Sequence, residues 1–138
     1  MKALMKTFLS LHVNLYRLTK GKMGGKMGGN SILLLNTVGR KSGKKFTIPL
    51  VYLMEEDNYI LIASNGGADK HPGWYFNLKS QPQTTVQVME QTINVTAEMA
   101  PPEERNRLWK NITSTHEQFQ AYQEKTERVI QVFVLRPA

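Results

Sequence analysis

The chain contains no cysteine and only three histidines, which lie far apart at His12, His71 and His116. The absence of cysteine excludes disulfides, thiolate metal sites and cysteine nucleophiles, and it fits a reducing compartment. Because the histidines form no His-x-x-x-His pair, they give little support for a zinc or iron centre. We therefore expect no metal site.

Long apolar runs are missing as well. Nothing approaches the roughly 20 apolar residues that span a bilayer, and the N-terminus lacks the uninterrupted apolar stretch of a secretory signal. These absences lead us to expect a cytoplasmic protein. A chain of 138 residues has the usual size of one domain and can bury a core without disulfides.

Acidic residues are absent from the first 54 positions. That part holds ten Lys or Arg residues, whereas the rest carries eight basic and eleven acidic residues, so the formal net charge of +7 combines +10 with −3. So basic a segment suits nucleic acid, a membrane surface, or a phosphorylated or polycarboxylate small molecule. Nucleic acid is disfavoured, because the cations cluster instead of alternating with aromatic residues along strands.

The N-terminal segment is predicted to form an amphipathic helix. Its apolar residues recur every three or four positions and stay within a stripe about 80° wide; they are Leu4, Phe8, Leu11, Leu15 and Leu18. Such a helix packs on the domain, lies on anionic lipid, or closes over a site. Gly21 suits a left-handed cap, and we expect the glycine-rich segment 21–30 to be a mobile linker without regular structure. The predicted division is therefore helix and linker at 1–30, and a folded domain at 31–138.

The remaining sequence is mostly β. Six strands, each bounded by turn residues, are predicted at 32–37, 47–54, 59–64, 84–89, 92–97 and 129–135. Helices are predicted at 73–80, 102–112 and 116–126. Short hairpin loops imply antiparallel neighbours. The predicted fold class is therefore α+β, a small closed or half-closed antiparallel barrel with peripheral helices.

Four cations follow the first of these strands, at Arg40, Lys41, Lys44 and Lys45. We call residues 40–45 the basic loop. It is not a phosphate-binding P-loop, because three residues instead of four separate Gly39 from Gly43, and Lys45 instead of Ser or Thr follows Lys44. Glycines nevertheless let main-chain N–H groups approach an anion, which Arg and Lys also bind. The sequence leaves two interpretations open: an anion site or a solvated turn.

A second candidate segment is "ASNGGADKHPGWYFN" at 63–77. It combines a strand end, a glycine pair that would admit a flat ligand, Lys70, and a helix start that would attract an anion. Within it, Trp74 is either a core aromatic or a ligand contact.

Farther along, Phe119 and Tyr122 share a helix face. They either pack together, or Tyr122 donates a hydrogen bond to a bound carbonyl.

Four segments together resemble the family of deazaflavin (coenzyme F420)-dependent nitroreductases and quinone reductases: "LLLNTVGRKSGKKFTIPLVY", "YILIASNGGADKHPGWYFNLKSQPQTTVQV", "PPEERNRLW" and "AYQEKTERVIQVFVLRP". The resemblance implies a split β-barrel, related to flavin reductases, that holds F420 in a groove with its anionic tail on the basic loop. It also implies an oxidoreductase that transfers a hydride from reduced F420 to a quinone, an activated alkene or a nitro compound. The alternative is a split barrel that binds FMN, FAD, haem or a lipid without this catalysis.

The resemblance also implies roles for individual residues. Ser64 and Tyr122 would be the catalytic hydrogen-bond donors. The cofactor site would comprise Arg40, Lys41, Ser42, Lys44, Phe46, Thr47, Ile48, Pro49, Leu50, Val51, Ile62, Ala63, Ser64, Asn65, Lys70, Gly73, Trp74, Tyr75, Phe76 and Asn77.

Two positions depart from the family pattern. Phe46 stands where relatives often carry Arg, so binding of the anionic F420 tail would depend on Lys45 instead. Phe119 stands where nitro-reducing relatives have a tyrosine, which speaks against nitro reduction. The implied partners are a small-molecule acceptor and a membrane surface at the N-terminal helix, with no protein partner.

Overall fold

The computed structural model describes residues 2–27 and 29–138, apart from the side chains of residues 2–8 and 27. The helices are α1 (Lys2–Thr19), α2 (Gly73–Ser80), α3 (Pro102–Thr115) and α4 (Gln118–Glu124). The strands are β1 (Lys26–Met27), β2 (Asn30–Val38), β3 (Lys45–Glu55), β4 (Asn58–Ile62), β5 (Gln83–Val88), β6 (Gln91–Met99) and β7 (Val132–Pro137), and a 3-10 turn spans Asn65–Gly67.

Six strands form a closed antiparallel barrel in the order β2-β3-β4-β7-β6-β5. The barrel closes where β5 pairs with β2, at Leu34↔Gln87 and Leu35↔Val86. The two-residue strand β1 extends the sheet beyond β2, with Lys26 opposite Ser31. The prediction of an α+β antiparallel barrel with peripheral helices is confirmed.

The apolar run at the start of β2 is continuous because both faces of this strand are buried. Leu33 and Leu35 point into the barrel core, whereas Ile32 and Leu34 pack outside it beneath α1. Successive side chains of a strand point to opposite faces, so a strand covered on both sides loses the usual alternation of polar and apolar residues. Helices α3 and α4 cover the outer faces of β4 and β7 in the same way.

Helix α1 packs on the barrel through a different face from the predicted one. Val13 and Tyr16 are buried, whereas Leu11 and Leu18 are 56% and 81% exposed; the side chains of Leu4 and Phe8 lie outside the described residues. The Tyr16 hydroxyl donates to the Ile32 carbonyl at 3.0 Å and accepts from the Met89 N–H at 2.7 Å. Burial raises the pKa of this hydroxyl, so it remains a neutral donor.

The segment 21–30 is more ordered than predicted. The expectation that it lacks regular structure is wrong at β1, and main-chain hydrogen bonds hold its flanks, from Gly21 to Tyr16 and from Ile32 to Gly25, both at 2.8 Å. The predicted left-handed cap at Gly21 is confirmed by a φ of 83°. Within the described part of the chain, no helix is long and apolar enough to cross a membrane.

The other element boundaries lie close to the predicted ones, with two instructive differences. The last strand begins at Val132 instead of residue 129, because side chains take the main-chain hydrogen bonds of Ile130. Arg105 donates to the Ile130 carbonyl at 3.0 Å, and the Ile130 N–H donates to Gln123 at 3.0 Å. Strand β4 ends at Ile62, where the chain enters the 3-10 turn.

Candidate functional site

A groove opens in the barrel wall where β3 and β4 separate. The pairing between them extends only from Tyr52↔Leu61 to Glu55↔Asn58, whereas β3 pairs with β2 from Lys45 to Val51. Among the described strands, the first half of β3 therefore has a partner on one edge only. Main-chain N–H and C=O groups on such an edge need partners, so the groove suits a flat ligand with a hydrogen-bonding edge.

A cavity of about 430 Å³ lies against this open edge, within the size range of small-molecule sites. Nine residues that the resemblance assigned to the site line it together: Ile48, Pro49, Leu50, Val51, Ile62, Ser64, Asn65, Trp74 and Tyr122. Its walls are mostly apolar, and among the described side chains no carboxylate, Lys or Arg lines it. The sequence segments 48–51 and 62–65 thus meet at one place, as expected.

The basic loop lies outside the cavity, and α2 links the two. Residues 40–46 are exposed, whereas the preceding residue, Gly39, is half-buried. The Arg40 N–H donates to the Asn77 side-chain oxygen at 3.1 Å, and the Arg40 guanidinium lies 4.4 Å from the ring centre of Phe76. Because Phe76 and Asn77 belong to the same helix as Trp74, a single rigid element connects the basic loop to the cavity wall.

Tight hydrogen bonding shapes the basic loop. The Gly39 N–H donates to the Lys44 carbonyl at 2.8 Å, and the Gly43 N–H donates to the Gly39 carbonyl at 2.9 Å. Gly43 has a φ of 71°, in the left-handed region that favours glycine. Ser42 accepts a hydrogen bond from the Lys44 N–H at 3.2 Å, so its oxygen helps to hold the turn.

The cations of the basic loop have no carboxylate partners among the described residues. The ion pairs between described side chains join Arg107 to Glu55 and Glu104, and Arg136 to Glu98. Four exposed positive charges thus stand together beside the groove without internal compensation. This set of cations fits a ligand with a strongly anionic tail, since no described carboxylate competes for their charged side-chain donors.

The remaining residues that the resemblance assigned to the cofactor site contribute to the cavity less directly. Ala63 and Tyr75 are buried in the barrel core, where their side chains do not line the cavity. Lys70 is exposed, and its carbonyl accepts a hydrogen bond from Asn65 at 3.0 Å. Gly73 begins α2, and Thr47 donates to Asn36 at 2.6 Å on the β2 side of the strand.

Trp74 is a core aromatic, since it is 6% exposed and packs edge-on against Phe133 with ring centres 5.6 Å apart, and it also lines the cavity, which leaves its role as a ligand contact a prediction. Tyr122 packs on Phe119 and also lines the cavity. Neither the Tyr122 nor the Ser64 hydroxyl bonds to another described side chain. Both hydroxyls are therefore available to a ligand.

The sequence did not reveal every residue that lines the cavity. Those missed are Leu9, His12, Asn30, Ile32, Gly66, Pro72, Gln118 and Phe119. Most come from α1, the start of β2 and α4, which the tertiary fold brings together. Gln118 donates to Asn30 at 3.3 Å across one side of the cavity. No spacing rule relates positions so far apart in the chain.

Arg128 was also missed, although it shapes the cavity without lining it. Its guanidinium donates to the carbonyls of Ala68 at 2.8 Å, Ala63 at 3.2 Å and Ser64 at 2.8 Å. One side chain thereby fixes the path of the turn that carries Ser64. Burial lowers the pKa of Arg128, yet a guanidinium stays charged at neutral pH.

Residues 8–137 match the family model described as F420H(2)-dependent quinone reductase. This protein belongs to that family. An F420H(2)-dependent quinone reductase of Mycobacterium tuberculosis H37Rv is 37% identical over 131 residues, which cover 92% of this chain and 88% of the relative. The family resemblance seen in the sequence is thus confirmed.

Solved structures support the same assignment. The structure described as an F420-H2 dependent reductase (FDR-A) superimposes with a TM-score of 0.69 at 40% identity and covers 76% of this chain and 93% of its own. A second, described as a domain-swapped dimer, gives a TM-score of 0.70 at 35% identity and covers 91% and 96%. The split barrel of this quinone reductase family member is therefore shared with solved relatives.

Proposed function

We propose that this protein reduces quinones with F420H(2) at the cavity beside β3. One observation carries the proposal: four uncompensated cations stand beside a groove that suits a flat ligand, and α2 joins the two features. Family membership over nearly the whole chain supports the same chemistry. The mostly apolar lining of the cavity and the positive charge outside it suit a ligand with an uncharged ring system and an anionic tail.

The residues present fit this cofactor. Reduced F420, when bound, supplies a hydride to the acceptor. The open edge of β3 would hold the ring system through main-chain groups, and the basic loop would hold the tail. Trp74 and the aliphatic side chains from Ile48 to Val51 would exclude water from the reacting atoms, which strengthens every electrostatic interaction there.

Ser64 and Tyr122 would act on the acceptor. As negative charge grows on an acceptor oxygen, their free hydroxyls can donate hydrogen bonds to it. Phe119 supports a quinone instead of a nitro compound as acceptor, because its buried ring offers no hydroxyl at the position where nitro-reducing relatives have one. An apolar cavity also suits an apolar acceptor.

We further propose that the outer face of α1 contacts a membrane that holds such an acceptor. Leu11 and Leu18 project into solvent from this face, and Arg17 and Lys20 nearby are also exposed. Exposed leucines next to cations are typical of helices that lie on anionic lipid. The inner face of the same helix forms part of the cavity wall through Leu9, so a docked acceptor would have a short path to the site.

Cofactor titration tests the main proposal and separates it from its alternative. Purified protein is titrated at low salt with F420, FMN, FAD and haem, with binding followed by fluorescence or absorbance, and then assayed for oxidation of F420H(2) by a naphthoquinone. We expect saturable binding of F420 and quinone-dependent oxidation. Tight binding of a flavin or haem, without F420 binding, would establish the alternative of a differently loaded barrel.

A further inference from the structure

We propose that His12 is the proton donor of the reaction, delivering a proton from Nδ1 to the acceptor oxygen. This inference rests on the proposed quinone reduction. His12 belongs to α1 and lines the cavity together with Ser64 and Tyr122. Its place in the reaction follows from the contacts of its ring, the rigidity of its helix and the chemistry of the surrounding residues.

One nitrogen of the imidazole already has a hydrogen-bond partner. Nε2 lies 2.8 Å from the Gly24 carbonyl oxygen, which can only accept a hydrogen bond, so Nε2 carries a hydrogen. A Cβ added at Gly24 would lie 2.8 Å from Cδ2 and 2.9 Å from Nε2 of His12, so this edge of the ring is in tight contact. Nδ1 lies on the other side of the ring and has no hydrogen-bond partner among the described side chains.

The helix segment that carries His12 is firmly held. Val13, the next residue, is buried, and Tyr16, one turn later, bonds to the main chain of Ile32 and Met89. These contacts fix the position of α1 on the barrel, and the contact of Nε2 with the Gly24 carbonyl orients the imidazole. A proton donor needs this rigidity, since transfer requires the donor and acceptor atoms within hydrogen-bonding reach.

The surroundings leave His12 as the best acid in the cavity. Among the described residues that line the cavity, His12 carries the only imidazole and Tyr122 the only phenol, and a phenol is a much weaker acid than an imidazolium. Asn30 and Gln118, which also line the cavity, carry amide side chains that cannot act as proton donors of this kind. Imidazole is the side chain that gains and loses a proton most readily near neutral pH.

The step balances. Reduction of a quinone to a quinol adds two electrons and two hydrogen nuclei; one nucleus arrives with both electrons as the hydride, and the other is a proton bound by a quinone oxygen. Imidazolium Nδ1 supplies this proton, so its N–H bond breaks as the O–H bond forms. The neutral imidazole then regains a proton from water.

Substitution by glutamine isolates this role. In His12→Gln the amide nitrogen can replace Nε2 as donor to Gly24, whereas the titratable proton is lost. We expect kcat to fall about 10²-fold, the lower range for loss of a general acid, with F420 affinity changed less than twofold. The wild-type kcat should fall as pH rises, because the imidazolium is the active form, and this dependence should disappear in His12→Gln. The matched control is His116→Gln, which removes a histidine outside the cavity.

A measurement without turnover provides a second test. The imidazole signals of the wild-type protein are followed by NMR as a function of pH, with oxidised F420 present and a naphthoquinone either added or omitted. The signals are assigned with the two glutamine variants. We expect the quinone to shift the signals of His12 and to leave those of His116 unchanged.

Two results would overturn the inference about His12 while leaving the proposed function intact. These are quinone reduction by His12→Gln within twofold of the wild-type kcat with the same pH dependence, or His12 signals that do not respond to the quinone. If the wild-type protein neither binds F420 nor reduces quinones, the proposed function itself fails and the inference fails with it.

Discussion

The Nδ1 atom of His71 lies 3.3 Å from a guanidinium nitrogen of Arg128. A guanidinium can only donate, so Nδ1 of His71 is the acceptor and the ring is neutral. The ring also stacks on Tyr75, with centres 3.9 Å apart. Burial lowers the pKa of His71, and the positive charges of Arg128 and Lys79 lower it further. Protonation of His71 would therefore oppose the contact that Arg128 makes beside the site.

The first prediction concerns stability and pH. Because the pKa of His71 is lower in the folded than in the unfolded protein, the unfolded state binds more protons as pH falls below about 6.5, and the free energy of unfolding decreases. Above this pH, the contribution of neutral His71 to the free energy of unfolding is fully present. His71→Asn keeps an acceptor atom without a titrating group, so its melting temperature should fall less between pH 7.5 and 5 than that of the wild type. Equal decreases in thermal unfolding curves would contradict the prediction.

The second prediction concerns Arg128. Alanine at this position leaves three main-chain carbonyls without their donor and should lower the free energy of unfolding by about 2 kcal/mol. Lysine keeps the charge but cannot reach three acceptors at once. The free energy of unfolding of Arg128→Lys should therefore be close to that of Arg128→Ala. Because the turn that carries Ser64 loosens, kcat should fall in both variants. Chemical denaturation and steady-state assays measure these effects; full activity of Arg128→Lys would refute the positioning role.

The third prediction concerns the basic loop. Arg40→Ala/Lys41→Ala removes two uncompensated charges and should weaken F420 binding about tenfold or more at low salt, because charge-assisted hydrogen bonds to the tail are lost. The difference in F420 affinity between the wild type and this variant should become smaller at higher salt, because salt screens the charges. Fluorescence titration at two salt concentrations measures it. Lys110→Ala/Arg136→Ala removes the same charge elsewhere and serves as the control; an equal loss there would point to net charge instead of a specific grip.

The fourth prediction concerns the two free hydroxyls. Tyr122→Phe and Ser64→Ala each remove one donor to the acceptor oxygen, so kcat should fall roughly tenfold to a hundredfold. The dissociation constant of F420 should stay nearly constant, because neither hydroxyl is needed for the tail. Tyr59→Phe and Ser80→Ala make the same chemical changes away from the cavity and should leave kcat unchanged. Unaltered kcat in both site variants would remove these residues from the mechanism.

The fifth prediction concerns the outer face of α1. Leu11→Ser/Leu18→Ser should reduce binding to anionic vesicles at least tenfold, since each buried leucine contributes about 1.5–3 kcal/mol to partitioning. Vesicle flotation measures the bound fraction, and the activity with a water-soluble quinone should be retained. Val129→Ser, which changes another exposed apolar residue outside α1, is the control. If wild-type protein does not float with the vesicles, the membrane proposal fails.

Local patterns predicted most elements of this fold correctly. Helix α2 begins and ends at the predicted residues, because a proline precedes it and no competing side chain intervenes. Strand β7 starts late because Gln123 and the more distant Arg105, 25 residues before Ile130, bond to the main chain of Ile130. The buried face of α1 was misjudged because Tyr16 looks polar in the sequence. Only the fold supplies the partners that allow its hydroxyl to be buried.

The sequence by itself determined the barrel strands and the basic loop, because each depends on residues close together in the chain, and it determined the family, because four characteristic segments follow one another along the chain. Tertiary structure alone decided where the cavity lies and which residues complete it. The separation of β3 from β4, the approach of His12 and Gln118, and the hold of Arg128 on Ser64 all depend on contacts between distant segments. Such contacts follow from how the elements pack, and no local pattern of side chains encodes them.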